Sequence, residues 1–186
     1  MKLNIPVNLP NIITVLRILI TPLFIILVQR DLYLAALCVF TLAAVSDGLD
    51  GFLARYLNQR TRLGATLDPI ADKILLMTAY IFLTVKGIMP SWFTVITISR
   101  DVLILMGMAV LTFMRIKVEI NPTLISKFTT AAQLVAVFLT LLDPQPVLAF
   151  SFRSWVYWVT AVTTIVSGLH YVYLGLGILH DELGSE

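Results

Sequence analysis

Four aspartates, Asp47, Asp50, Asp68 and Asp72, fall inside the stretch D-G-L-D-G-F-L-A-R-Y-L-N-Q-R-T-R-L-G-A-T-L-D-P-I-A-D, which apolar runs flank on both sides. Asp47 and Asp50 are three residues apart and Asp68 and Asp72 four, so on helices each pair shares one face. Two antiparallel neighbours would then aim all four carboxylates at one place. Left bare in a membrane they would be unstable, because insertion of each ionised aspartate at mid-depth costs roughly 2.5 to 3.5 kcal/mol and mutual repulsion adds to it. Hard oxygen ligands at this density suit Mg²⁺ or Mn²⁺, and a pair of such ions is the arrangement that serves phosphoryl chemistry. The plainer alternative is that these acids cap helices or pair with Arg55, Arg60, Arg62 and Lys73 at the membrane surface. That account suits one aspartate better than four at these spacings. Gly51, Ala54 and Gly64 accompany the acids and would let a ligand come close to backbone, although small residues also let helices pack tightly.

The elements that must hold these residues are membrane helices. The chain is 59% hydrophobic and 13% charged, with a mean hydropathy of +0.93, whereas soluble domains are nearer half apolar and a quarter charged. Six apolar segments, at about 9–29, 32–55, 64–86, 90–114, 121–142 and 152–179, are separated by charged or Pro/Gly-containing breaks. Helices are the spanning form such runs allow, since a strand edge facing lipid would leave backbone groups unpaired. The expectation is therefore an all-α integral membrane protein: one domain over residues 1–186, with six transmembrane helices in a single bundle around a polar cavity open to the cytoplasm. Residues 1–8 form a short interfacial lead, not a cleaved signal, because the run that follows is long, contains Pro22 and lacks a small-residue cleavage pattern.

Loop charge sets the orientation. With the N-terminus in the cytoplasm, that side receives Lys2, Arg55, Arg60, Arg62, Arg115 and Lys117, and the far side Arg30, Lys86 and Arg153. Asp47 then lies eight residues before Arg55, about 12 Å below the cytoplasmic surface, with Asp68 and Asp72 at a comparable depth. The net charge of +2 is small and dispersed, which excludes the basic patches of a nucleic-acid binder. The single cysteine, Cys38, has no mate for a disulfide and is read as packing.

Other polar residues interrupt the apolar segments. Asn11, Thr14 and Arg17 recur at three-residue intervals near the start of the first helix, where they line the same cavity or serve as a cap followed by a snorkelling arginine. Arg100 and Asp101 lie near the middle of the fourth segment; Lys127 and Thr130 lie near the start of the fifth. Arg100 and Lys127 are candidates for holding a phosphate, with a buried Arg–Asp pair that joins helices as the structural reading. Lys73 would neutralise the acid cluster or form an ion pair. His170 is read as a packed histidine.

D-G-L-D-G-F-L-A-R, eight residues, then G-A-T-L-D-P-I-A-D resembles, without departure, the signature of the CDP-alcohol phosphotransferases, with eight fixed positions at fixed spacing. The resemblance implies that Asp47, Asp50, Asp68 and Asp72 ligate two divalent ions, with Asp72 as base on the acceptor hydroxyl. It implies that Gly51, Ala54, Arg55 and Gly64 form the CDP-binding surface, with Asn11, Thr14 and Arg17 facing the nucleotide, and that the protein is a homodimer. The expected reaction moves a phosphatidyl group from CDP-diacylglycerol to an alcohol and releases CMP, at the cytoplasmic membrane. Arg100, Lys127, Thr130 and Lys73 are then candidates for the acceptor's or the lipid's phosphate. I-S-R-D-V at 98–102, N-P-T-L-I-S-K-F-T-T-A-A-Q-L at 121–134, L-P-N at 9–11 and the Tyr/His-containing last helix look like cardiolipin synthases of mitochondrial type, whose acceptor is phosphatidylglycerol. Phosphatidylglycerophosphate synthases, which use glycerol 3-phosphate, are the near rivals. They often carry a further arginine about two turns after the Arg–acid pair, where Met108 stands here. A rival of another class, a small ion-coupled transporter, would use its carboxylates to carry ions; no inverted repeat or broken half-helix pattern supports it. A purely structural membrane protein has no need of an acid cluster.

Overall fold

The computed structural model describes the backbone of residues 9–56, 62–114, 123–145 and 150–183, and the side chains of 19–46, 73–111, 113–114, 123–145 and 152–178. Among the described residues there are six helices and no strand: α1 (Leu9–Gln29), α2 (Tyr33–Tyr56), α3 (Arg62–Val85), α4 (Ser91–Phe113), α5 (Leu124–Leu142) and α6 (Phe150–Leu183). Three stretches, Ser91–Leu111, Leu124–Leu142 and Phe152–Ile178, are long and apolar enough to cross a membrane; the apolar stretches described in α1, α2 and α3, Leu19–Gln29, Tyr33–Ser46 and Lys73–Val85, are shorter. Such helices fit a membrane protein.

The helix ends follow from capping chemistry. α5 starts three residues later than its apolar run suggests, because Thr123 accepts a hydrogen bond from the Ser126 amide at 3.2 Å through its hydroxyl and so acts as the N-cap. α1 and α3 both close in Schellman turns. At the end of α1, Asp31 takes a φ of 60°, and the amides of Asp31 and Leu32 donate to the carbonyls of Val28 and Leu27 at 3.1 and 3.0 Å. At the end of α3, Gly87 takes a φ of 73°, with the amides of Gly87 and Ile88 donating to Thr84 and Leu83 at 2.9 and 3.1 Å. Glycine enters this left-handed region without cost, whereas aspartate is merely tolerated there.

Asp31 has a compensating role. Its Oδ1 accepts hydrogen bonds from Lys86 Nζ and from the Tyr33 hydroxyl, each at 2.6 Å, so the two Schellman turns are tied together. The hydrogen bond from Lys86, followed by that from Tyr33, holds the Asp31 carboxyl below the ordinary carboxylate range.

The chain divides into two compact units, Met1–Ile88 with Thr140–Pro144, and Met89–Leu139 with Gln145–Glu186. In the first, α1 packs against both α2 and α3. The buried faces carry Phe24 and Val28 on α1, Ala36, Phe40 and Ala43 on α2, and Leu75, Ala79 and Leu83 on α3. These positions recur at the three- and four-residue spacing of one helix face. Alanines between large residues let backbones approach, and the Phe24 and Phe40 rings meet at 6.0 Å between centroids.

In the second unit α4 packs on α6, and the contacts give direction. Phe93 meets Tyr157 and Arg100 meets Ser167, so the two helices run the same way. α5 runs against α6, since Thr129 donates to the Thr163 carbonyl at 3.2 Å and Thr160 to the Ala132 carbonyl at 3.5 Å. The buried face of α6 is unusually polar for an apolar helix, with Thr160, Thr164 and Ser167 at the same helical spacing as Tyr157 and Ala161.

Candidate functional site

The backbone places every residue of the signature's fixed positions on a helix. Asp47, Asp50, Gly51, Ala54 and Arg55 lie in the last turns of α2; Gly64, Asp68 and Asp72 lie in the first three turns of α3; Asn11, Thr14 and Arg17 lie in the first three turns of α1. All three helices belong to the first unit. The side chains of these residues lie outside the described ones, and so does the common point at which the carboxylates are expected to meet. The backbone of α2 and α3 is continuous through all four aspartates. Each pair therefore keeps its three- or four-residue spacing along one helix, and a set of four carboxylates is chemically suited to hard divalent cations. Lys73, the next residue along α3, is half-buried.

The second unit is described atom by atom at its polar centre. Arg100 is 6% exposed and sits midway along α4. Its Nη1 donates to Asp101 Oδ1 at 2.7 Å, while Nη2 donates to Ser126 Oγ on α5 at 2.7 Å and to Ser167 Oγ on α6 at 2.9 Å. Successive residues on a helix point apart, so the long arginine side chain folds back to reach its neighbour's carboxylate. Its guanidinium carbon also lies 5.9 Å from the centre of the Tyr171 ring, within the range of a cation–π contact. Nε has no hydrogen-bond partner among the described residues. One arginine thus joins three helices, which is the structural alternative raised by its sequence position.

Near that centre further polar side chains bond within and between α5 and α6. Thr129 donates to the Ile125 carbonyl of its own helix at 2.8 Å as well as across to α6. Gln133 Nε2 donates to Thr164 Oγ1 at 3.3 Å, and Thr164 in turn donates to the Thr160 carbonyl at 2.6 Å. Sequence reading singled out Lys127 and Thr130 on this helix. The structure turns the neighbouring row inward instead: Ser126, Thr129 and Gln133, at i, i+3 and i+7, face the other helices, while Lys127 is exposed and Thr130 bonds back to the Ser126 carbonyl at 3.1 Å. The missed signal was present as two matching rows, Ser126/Thr129/Gln133 and Thr160/Thr164/Ser167. A single helix cannot show that one row faces another. Met108, two turns beyond Arg100, is exposed, and His170 is half-buried.

Sequence comparison shows the relatives of the chain. The CDP-alcohol phosphatidyltransferase family profile matches residues 7–166. Human cardiolipin synthase (CMP-forming) is 35% identical over 187 residues, covering 91% of this chain and 62% of the human protein. The CDP-diacylglycerol–glycerol-3-phosphate 3-phosphatidyltransferase of Bacillus subtilis is 34% identical over 181 residues, covering 88% of this chain and 93% of that protein. A Schizosaccharomyces pombe protein, cardiolipin synthase (CMP-forming) / mitochondrial hydrolase fusion protein, is 37% identical over 182 residues, covering 88% of this chain and 30% of the fusion. The chain thus spans about three fifths of the human relative's length and nearly all of the bacterial one's. With the family profile extending over most of its length, from the polar first turns of α1 to the hydroxyl-lined face of α6, this chain belongs to the CDP-alcohol phosphatidyltransferase family.

Proposed function

We propose that this protein is an integral-membrane phosphatidyltransferase that moves a phosphatidyl group from CDP-diacylglycerol to an alcohol, with phosphatidylglycerol as acceptor and cardiolipin and CMP as products. The observation that carries the reading is the complete eight-position signature, set on two helices that run unbroken through its four aspartates. In this proposal six transmembrane helices form one bundle, the N-terminus and active-site cavity face the cytoplasm, and two copies associate as a homodimer. Asp47, Asp50, Asp68 and Asp72 would hold two Mg²⁺ or Mn²⁺ ions, which when bound would neutralise the diphosphate of the donor. Asn11, Thr14, Arg17, Gly51, Ala54, Arg55 and Gly64 bind the CDP moiety. The acceptor hydroxyl oxygen forms a bond to the phosphorus that carries diacylglycerol, its proton passes to the Asp72 carboxylate, and the bond from that phosphorus to the CMP oxygen breaks. The remaining work of the protein is positioning and screening of charge.

Among the cations, Lys127 is assigned to the acceptor or lipid phosphate, supported by its exposure beside Ser126; Thr130 and Lys73 are its candidates for assistance. Arg100 is assigned to positioning, because its guanidinium already donates to Asp101, Ser126 and Ser167.

Glycerol 3-phosphate is the second acceptor. It is favoured by the near-complete coverage of the Bacillus subtilis relative, against 62% of the human one. Thin-layer separation of lipid products after CDP-diacylglycerol is offered with each acceptor in turn decides between them. Cardiolipin is the expected product, and a phosphomonoester lipid without cardiolipin reassigns the acceptor. Asp68→Asn is expected to lower CMP release by about a hundredfold or more while the protein stays folded in detergent; retained turnover refutes the metal role.

A further inference from the structure

All three tryptophans of the chain, Trp92, Trp155 and Trp158, lie at one end of the second unit. Trp92 is the second residue of α4, and Trp155 and Trp158 occupy the first turns of α6. α4 and α6 run the same way, so these are neighbouring helix starts. The Trp92 and Trp158 rings stack at 4.7 Å between centroids with 28° between planes. Yet Trp92, Trp155 and Trp158 remain 37%, 70% and 61% exposed, and Phe152 beside them is exposed too. Arg153 belongs to the same turn, its guanidinium carbon 5.9 Å from the centre of the Tyr157 ring. The apolar stretch Ser91–Leu111 begins beside Trp92, and Phe152–Ile178 begins six residues before Trp158, about 9 Å along α6.

An indole ring has an apolar body and an N–H that needs a partner, which suits neither the hydrocarbon interior nor open water but the boundary between them. We infer that this aromatic cluster is the surface by which the second unit seats itself at one lipid headgroup boundary, and that it thereby sets the depth of the Arg100 network below that boundary. The depth follows from helix geometry. Trp92 precedes Arg100 by eight residues and Trp158 precedes Ser167 by nine, which are about 12 and 14 Å along their axes. A cationic side chain at that depth needs a carboxylate and hydroxyl partners within the protein, and Asp101, Ser126 and Ser167 supply them. The cluster's occupant is lipid: Arg153, in the first turn of α6, brings a positive charge to the helix start that carries the exposed Phe152, Trp155 and Trp158, and a phosphate headgroup is the complementary group at such a boundary. This inference is independent of which acceptor the protein uses.

Because no tryptophan lies elsewhere, intrinsic fluorescence of the unmodified protein reads this surface alone. The protein is reconstituted into vesicles of phosphatidylcholine carrying bromines near the acyl carbonyls, at mid-chain or near the chain ends, and quenching is compared. The expected order is strongest quenching by the shallow bromines and weakest by the deepest. Strongest quenching by the deepest bromines overturns the inference, because the cluster would then lie at the bilayer centre. Quenching by none of them also overturns it, because protein, such as a second copy, would then cover the rings. The Trp155→Phe variant leaves the stacked pair as the only emitters and is expected to keep the same order; a reversed order in that variant overturns the inference as well.

Discussion

The two helical units solve the problem of cohesion in an apolar solvent differently. In the first, α1 meets α2 and α3 through Phe24, Phe40, Leu75, Leu83 and interleaved alanines, and Asp31, Tyr33 and Lys86 make a polar tie at the helix ends. In the second, the ties run through the middle of the helices: Arg100 with Asp101, Ser126 and Ser167, and then Thr129, Gln133, Thr160 and Thr164. Lipid tails are as apolar as leucine, so apolar faces gain little from burial against one another beyond close packing, and hydrogen bonds must select the partner where packing does not. The first unit keeps its helix ends for the signature residues; the second spends its polar side chains on joining helices.

This contrast is open to direct attack. The largest stability loss is expected from Asp101→Leu, which leaves the buried Arg100 guanidinium without its carboxylate; breaking a buried pair in this way costs about 3 to 5 kcal/mol, measured by reversible unfolding in mixed micelles. Phe40→Ala removes a ring from the apolar face of the first unit and is expected to cost about 3 kcal/mol in the same measurement. If Asp101→Leu proves neutral while Phe40→Ala is severe, both units are held by packing and the contrast fails. Thr164→Val keeps shape but removes the acceptor for Gln133 and the donor to Thr160; hydrogen bonds between membrane helices average about 0.6 kcal/mol, so a loss near that size is expected.

The smallest effect sharpens the role of the end tie. The folded-state pKa of Asp31 is depressed, so its contribution is present above the ordinary carboxylate range and is lost as pH falls through the lowered value. Asp31→Asn is expected to remove that acid-limb loss, seen as a flatter dependence of stability on pH between the ordinary and the lowered carboxyl values. An unchanged acid limb assigns the dependence to other groups.

Hydropathy alone placed six helices to within a few residues, because an apolar run in lipid has no other way to satisfy its backbone. α5 shows the limit: its start depended on the Thr123 cap, a local hydrogen bond that a hydropathy pattern does not contain. That the four aspartates stand on two helices was legible because spacing on a helix survives in sequence as three- and four-residue intervals. Arg100 was legible as a buried charge, but its partners beyond Asp101 were not. Ser126 and Ser167 are 26 and 67 residues away from it, and nothing local ties them to it.

By itself, then, the sequence determined that there are six helices, roughly where each lies, and which residues carry the family signature, since all of these are properties of neighbours along one chain. Only the tertiary structure decided that Ser126, Thr129 and Gln133 turn inward while Lys127 turns out, and that one arginine fastens α4, α5 and α6. The physical reason is that a helix bearing polar groups on adjacent rows has several faces it could bury. The choice falls to whichever row meets donors and acceptors on another helix at the same depth.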